Sequence, residues 1–206
     1  MSFNLTVPQP ADRQLDIPIE LGNILFVLGA NGTGKSSLMH KWYVDNRNNV
    51  RRLSAHRKTW FSSNKNSLSL SSKEQQEKQI ESVDIRPESR WKEEFSEVRP
   101  DIAIFDLIEA ENSRSRSIAT DIEVAAANNE KIEPSKILSK NKSQIKTINT
   151  LLSDSNIPIE ISIDKSGQMV ASKRDGSPYS IAELSDGERN ALLIAANVLK
   201  IGRAHV

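Results

Sequence analysis

The first 28 residues pass from alternating apolar and polar positions to an unbroken apolar run. Residues 3–7 and 15–21 alternate with a period of two, which predicts two short strands with one polar face each. Pro18 lies inside the second strand and lacks a backbone N–H, so we expect an edge position. Residues 24–28 are apolar throughout, which predicts a central strand buried on both faces.

The remainder of the chain is mainly helical in pattern. A helix over residues 35–45 and a strand over residues 50–55 come first, followed by a serine-rich loop. The later predictions are a helix over residues 72–82, a short helix between Pro87 and Pro100 with Trp91 in the core, a long helix with a break near residues 112–117, a helix from Pro134, a hairpin of residues 157–163 and 168–172, and an apolar helix over residues 191–199.

The junction between the apolar run and the first helix fits the phosphate-loop pattern G-x-x-x-x-G-K-[ST]. Glycines let backbone N–H groups turn towards a phosphate, and the following helix adds its positive end. Lys35 is expected to reach the β- and γ-phosphates, and the Ser36 hydroxyl to bind Mg²⁺. The predicted nucleotide-binding residues are Gly29, Ala30, Asn31, Gly32, Thr33, Gly34, Lys35, Ser36 and Ser37.

Composition narrows the class of protein. The 206 residues carry a net charge of +1, so no global field favours nucleic acid or an anionic membrane. The absence of cysteine excludes disulfides, thiolate metal sites and cysteine nucleophiles. No apolar run has membrane-spanning length, and the N-terminus lacks a signal-peptide pattern, so we expect a cytoplasmic protein with no membrane partner.

A second motif precedes the last helix. Ser185, Asp186, Gly187 and Glu188 offer a hydroxyl, a glycine for close backbone approach and a helix N-terminus. The same residues also fit a capping box, in which Ser185 and Glu188 satisfy each other's backbone N–H groups. The pattern therefore has a purely structural interpretation and a ligand-binding one.

This second motif resembles the signature of ABC-type ATPases, in an S-D-G-E variant, and the phosphate loop upstream strengthens the resemblance. The pair is similar to the heads of soluble prokaryotic ATPases, including chromosome-maintenance and break-repair ATPases, overcoming-lysogenization-defect (OLD) nucleases and Septu-type or retron-associated anti-phage ATPases. Residues 52–61 look most like the last group. The resemblance implies an α/β fold, namely a P-loop NTPase sheet with an antiparallel flank and an inserted helical subdomain. The expected segments are residues 1–61, 62–156 and 157–206.

In such families two heads associate head to tail, and each ATP lies between one phosphate loop and the partner's signature. The resemblance therefore implies ATP and Mg²⁺ as cofactors and a homodimer formed through ATP. It also allows a partner nuclease and contact with DNA or RNA. Lys35 and Ser36 of one copy would face Ser185 and Gly187 of the other.

The family's remaining catalytic parts are not evident in the sequence. An apolar strand ending in Asp-Glu should follow the signature, but residues 191–206 contain no acidic residue. Residues 101–106 superficially resemble an Asp-ending strand, although Leu107 stands where Glu is expected. His56 and Arg57, at the end of a predicted strand, are candidates for sensing the γ-phosphate.

The C-terminus suggests a truncated fragment. Residues 201–206 are what the start of a common sequencing adapter would encode, so His205 is not interpreted as a functional histidine. On this interpretation ATP turnover belongs to a longer parent protein. Two alternatives to the ATPase head stay open: a non-catalytic, ATP-gated binding module, and a P-loop kinase or GTPase-like enzyme in which Ser185 only caps a helix.

Overall fold

The computed structural model describes residues 2–20, 22–53, 61, 68–129, 131–173 and 176–203. Their elements, in chain order, are β1 Ser2–Pro8, β2 Gln14–Glu20, α1 Lys35–Asp45, α2 Leu70–Asp84, a 3₁₀ helix Pro87–Arg90, α3 Val98–Ala127, α4 Pro134–Lys140, α5 Gln144–Asp154, β3 Ile159–Ile163, β4 Met169–Lys173, β5 Tyr179–Ser180, a second 3₁₀ helix Ile181–Glu183, and α6 Asp186–Arg203.

The chain divides into two compact units. The first unit comprises Met1–Arg52 and Lys78–Glu94, and the second comprises Leu53–Glu77 and Phe95–Val206. The phosphate-loop residues belong to the first unit, and the signature-like residues belong to the second. The three consecutive segments expected from the sequence stay a prediction.

The first unit is built on the hairpin of β1 and β2, which confirms both predicted strands. They pair antiparallel, with Leu5 opposite Ile17. Trp42 in α1 is buried and donates from its indole nitrogen to the carbonyl oxygen of Thr6, 2.8 Å away. This hydrogen bond holds α1, the helix that follows the phosphate loop, against the hairpin.

The predicted central strand is wrong. Residues 24–28 belong to no strand, and Ile24, Phe26 and Leu28 are 78%, 75% and 87% exposed. A run that is apolar on both faces becomes a buried strand only between neighbouring strands with cover on each face. The described part of this unit supplies only a two-stranded hairpin. The strand predicted at residues 50–55 is also wrong for its described part, because residues 50–53 belong to no strand.

The second unit contains the main hydrophobic core. Helices α3, α5 and α6 share one core with an antiparallel sheet of order β3-β4-β5, and the hairpin prediction is confirmed. Ile148, Met169, Ile181 and Leu192 are fully buried in this core. β1 and β2 form a separate antiparallel pair, and no parallel sheet joins it among the described residues, so the fold class stays a prediction.

Helix α3 runs without the break expected at residues 112–117. The polar residues there contain no glycine or proline and do not interrupt a helix. Neighbouring polar groups serve the next helices instead: Glu111 accepts from the hydroxyl of Ser143 at 2.7 Å, and Arg114 donates to the carbonyl oxygen of Asn141 at 2.8 Å.

The Asp-ending strand considered at residues 101–106 is also wrong, because these residues lie in α3. The carboxylate of Asp106 forms an ion pair with Lys73, whose Nζ atom is 2.7 Å away. Asp106 therefore stabilises the packing of α2 on α3 and supplies no strand-end carboxylate.

Trp91 does not pack in the core. The predicted short helix between Pro87 and Pro100 is only a 3₁₀ turn, and Trp91 follows it as an exposed side chain, with 66% of its surface accessible. The predicted helix is wrong at its end as well, because Pro100 lies in the first turn of α3. A single 3₁₀ turn is too short to carry Trp91, Phe95 and Val98 on a shared face.

Candidate functional site

The phosphate-loop residues form an irregular loop that leads directly into α1. Gly32 and Gly34 have φ angles of 83° and 84°, in the left-handed region that side-chain-bearing residues avoid. The first helical hydrogen bond joins the N–H of Leu38 to the carbonyl oxygen of Gly34 at 2.9 Å. Helix α1 therefore begins and ends at the predicted residues.

The start of α1 presents the donors that an anion requires. The N–H groups of Lys35, Ser36 and Ser37 precede the first helical hydrogen bond, so the helix itself gives them no acceptor. Ser36 and Ser37 are exposed. Together with the positive end of the helix, these donors have the chemistry that binding of a phosphate group requires.

Lys35 folds back over its own loop. Its ammonium group donates to the carbonyl oxygens of Gly29 and Ala30, each 2.7 Å away. The hydroxyl of Thr33 donates to the same carbonyl of Ala30 at 2.9 Å. A methyl group on Gly29 would lie 2.9 Å from the Thr33 hydroxyl, so a larger residue there would displace this hydroxyl. Binding of a phosphate would exchange the carbonyl partners of Lys35 for phosphate oxygens.

A basic residue that sequence reasoning missed lies beside this loop. Arg90, at the end of the first 3₁₀ helix, donates from its guanidinium to the hydroxyl of Ser37 at 2.8 Å. One turn further along α1, His40 lies with Nε2 3.0 Å from the carbonyl oxygen of Arg86. The two contacts hold the 3₁₀ segment against the phosphate-loop helix. Only the tertiary contact identifies Arg90, because no motif contains it.

The residues fit a magnesium-bound triphosphate only in part. Ser36 offers one exposed hydroxyl, and Mg²⁺ in nucleotide sites commonly takes one or two protein ligands with phosphate oxygens and waters. In the described part of the chain no group of three or more His, Asp or Glu side chains could hold a metal ion. The metal would therefore depend on the nucleotide for most of its ligands.

The signature-like residues form the predicted capping box. The backbone N–H and the hydroxyl of Ser185 both donate to the Glu188 carboxylate at 2.8 Å, and the N–H of Glu188 lies 3.4 Å from the Ser185 hydroxyl. Burial raises the pKa of Glu188, but the hydrogen bonds from Ser185 and the charge of Lys173 outweigh it, so the pKa is lowered overall. The carboxylate is thus held ionised at the start of α6.

This turn is exposed although the residues on either side of it are buried. Leu184 and Arg189 lie in the interior, whereas Ser185, Asp186 and Gly187 are exposed. Apart from its chain neighbours and the backbone of α6, no described atom lies within 4 Å of the position that a Cβ on Gly187 would take. A capping box needs no such open glycine, so the turn is accessible to another molecule.

The candidate residues thus form two separate groups. Residues 29–37 come together at the start of α1, and residues 185–188 at the start of α6. Each group belongs to its own unit. His56 and Arg57, the candidates for a γ-phosphate contact, lie outside the described residues.

Comparison of the chain with protein-family models, curated proteins and solved structures finds no match. A function for the chain therefore rests on its motifs and on the two sites. Within the described ranges, no helix has both the length and the apolar character needed to cross a membrane.

Proposed function

We propose that the chain is the nucleotide-binding head of an ABC-type ATPase. In this proposal residues 29–37 bind the phosphates of ATP with Mg²⁺, and the exposed turn of residues 185–188 binds the same nucleotide on a second copy. The observation that supports nucleotide binding most strongly is the loop itself, which has two left-handed glycines and is covered by the ammonium group of Lys35. The first N–H groups of α1, which the helix gives no acceptor, lie at its end.

The proposed mechanism is an ATP-dependent association. The Ser185 hydroxyl would exchange its Glu188 partner for the γ-phosphate of the other copy, and the open backbone at Gly187 would add a further donor. The first N–H groups of a helix attract an anion from any molecule. ATP would then stabilise the dimer through contacts that ADP cannot make. A ligand that favours one of two states in this way acts as a switch.

Hydrolysis of ATP is part of the proposal, and so are the biological settings implied by the resemblance, namely anti-phage defence or DNA maintenance, with a partner nuclease. The alternative of a non-catalytic, ATP-gated module shares the dimer but lacks turnover. The alternative of a kinase or GTPase-like enzyme shares the nucleotide pocket but needs no dimer.

The test is the sedimentation of the protein with Mg²⁺-ATP, with Mg²⁺-ADP and without nucleotide. We expect dimers only with ATP, and we expect Ser185→Arg to abolish them because a bulky cation replaces a short hydroxyl at the exposed turn. Thr147→Arg, at an exposed position of α5, is the matched control and should leave the dimer intact. A wild-type protein that binds ATP but stays monomeric would contradict the ATPase-head proposal.

A further inference from the structure

We infer that Trp91 is the surface on which the base of the bound nucleotide stacks, with Arg90 between the base and the phosphates. This inference rests on the proposed function, because it assigns further residues to the same site. It places the base of a nucleoside triphosphate and gives a role to an exposed indole that the fold does not use.

The side chains of Arg90 and Trp91 are in contact. The guanidinium carbon of Arg90 lies 5.0 Å from the centre of the Trp91 ring, within the range of a cation–π interaction. The same guanidinium donates to the hydroxyl of Ser37 at 2.8 Å. One side chain therefore touches both the first turn of the phosphate-loop helix and the exposed indole.

Hydrogen bonds hold the segment that carries Trp91. Arg52 donates to the carboxylate of Asp84 and to the carbonyl oxygen of Ser89, and both of these residues are buried. The N–H of Trp91 donates to the carbonyl oxygen of Glu88 at 3.1 Å. A platform that is fixed before binding loses little conformational freedom when a ligand covers it.

The exposed indole ring of Trp91 has a large apolar face that can stack on another ring. An indole with 66% of its surface in water gains by being covered, and stacking on a flat heteroaromatic ring suits its large π-face. Single exposed apolar residues are common on proteins. Trp91 differs from them because its neighbour Arg90 is hydrogen-bonded at the candidate phosphate site.

Phe26 is the competing aromatic residue. It is 75% exposed and lies three residues before Gly29, in the same unit. The link through Arg90 to Ser37 favours Trp91. Substitution of each residue separates the two assignments.

The experiment measures binding of Mg²⁺-ATP and of Mg²⁺-tripolyphosphate by calorimetry. The second probe carries the phosphates without a base. Trp91→Ala should weaken ATP binding on the order of tenfold, which is typical for the loss of one base–aromatic stack, and should leave tripolyphosphate binding unchanged. Trp91→Phe, which keeps an aromatic face, should restore most of the affinity for ATP.

Lys35→Ala separates a failure of this inference from a failure of the proposed function. It should weaken both probes, since Lys35 serves the phosphates. If Lys35→Ala weakens both while Trp91→Ala binds ATP like the wild type, the assignment of Trp91 is overturned and the phosphate site stands. Equal weakening of both probes by Trp91→Ala, or a loss selective for ATP in Phe26→Ala instead, also overturns it. If the wild type binds neither probe, both proposals fall.

Discussion

Gly187→Ala tests whether the exposed turn before α6 is more than a helix cap. Gly187 is the second residue of α6, and its φ angle is not in the left-handed region. A Cβ there would meet no atom within 4 Å. Neither strain nor a clash therefore opposes the substitution within one copy of the chain.

Gly187→Ala should have only a small effect on the free energy of unfolding. Alanine in place of glycine inside a helix stabilises by about 0.5–1 kcal/mol, and at the second helical position this is an upper bound. We expect the free energy of unfolding in urea to stay constant or to rise by less than about 1 kcal/mol. Ser185→Ala should behave differently and cost about 1 kcal/mol, because it removes the side-chain cap of α6.

The effect on association should have the opposite sign. If the backbone at Gly187 approaches a phosphate held by the partner copy, a methyl group prevents that approach. Loss of one hydrogen bond to a charged group, about 1.5–3 kcal/mol, would weaken the ATP-dependent dimer by roughly tenfold to a hundredfold. Sedimentation velocity across a range of protein concentrations measures this constant directly.

The stability and the ATP-dependent association of Gly187→Ala together decide the role of this glycine. A protein that is as stable as the wild type but dimerises poorly with ATP supports a role for Gly187 between copies. A stable variant with an unchanged ATP dimer would show that the turn is a capping box alone. A variant destabilised by more than about 1 kcal/mol would show that Gly187 is not open as described.

Three further predictions concern local parts of the structure. Gly34→Ala should cost about 1–2 kcal/mol in a urea unfolding experiment, because the left-handed backbone and not a steric clash opposes a side chain there. The pKa of Glu188 is lowered in the folded protein, so its ionised carboxylate contributes fully to the free energy of unfolding above the ordinary pKa of 4.5. This contribution is lost as the pH falls through the lowered pKa, and the difference in stability between wild type and Glu188→Gln should shrink over that acidic range. Asn149→Ala should cost about 1–3 kcal/mol, measured by thermal unfolding, because its amide pairs with both the N–H and the carbonyl of buried Ile161 at the outer edge of β3, whereas removal of the exposed Thr150 hydroxyl should change little.

Features that depend on neighbouring residues could be predicted from the sequence. The bounds of α1 follow from the glycine before Lys35 and the asparagines after Asp45. The capping box needs only Ser185 and Glu188 at the right spacing, and the structure contains it. The hairpin of β3 and β4 follows from apolar segments on either side of a glycine-bearing turn, and alternation indicates β1 and β2 as strands. In each case the information lies within a few residues along the chain.

Features that depend on distant partners could not be predicted in this way. Residues 24–28 have the composition of a buried strand, but a strand needs neighbours that no local pattern supplies. Trp91 has the character of a core residue, yet the turn before it ends too soon to bury it. Arg90 belongs to no motif and enters the site through a contact 53 positions along the chain from Ser37.

Binding of Mg²⁺-ATP to wild type, Lys35→Ala and Lys41→Ala is the most direct test of the central claim that residues 29–37 hold a triphosphate. Both lysines lie on α1, but Lys35 reaches into the loop whereas Lys41 pairs with Asp45 at 2.6 Å on an exposed face. By calorimetry we expect the wild type and Lys41→Ala to bind alike and Lys35→Ala to bind at least about tenfold more weakly, as expected for loss of a charge-assisted hydrogen bond. Equal binding by all three proteins, or no binding by the wild type, would contradict the claim.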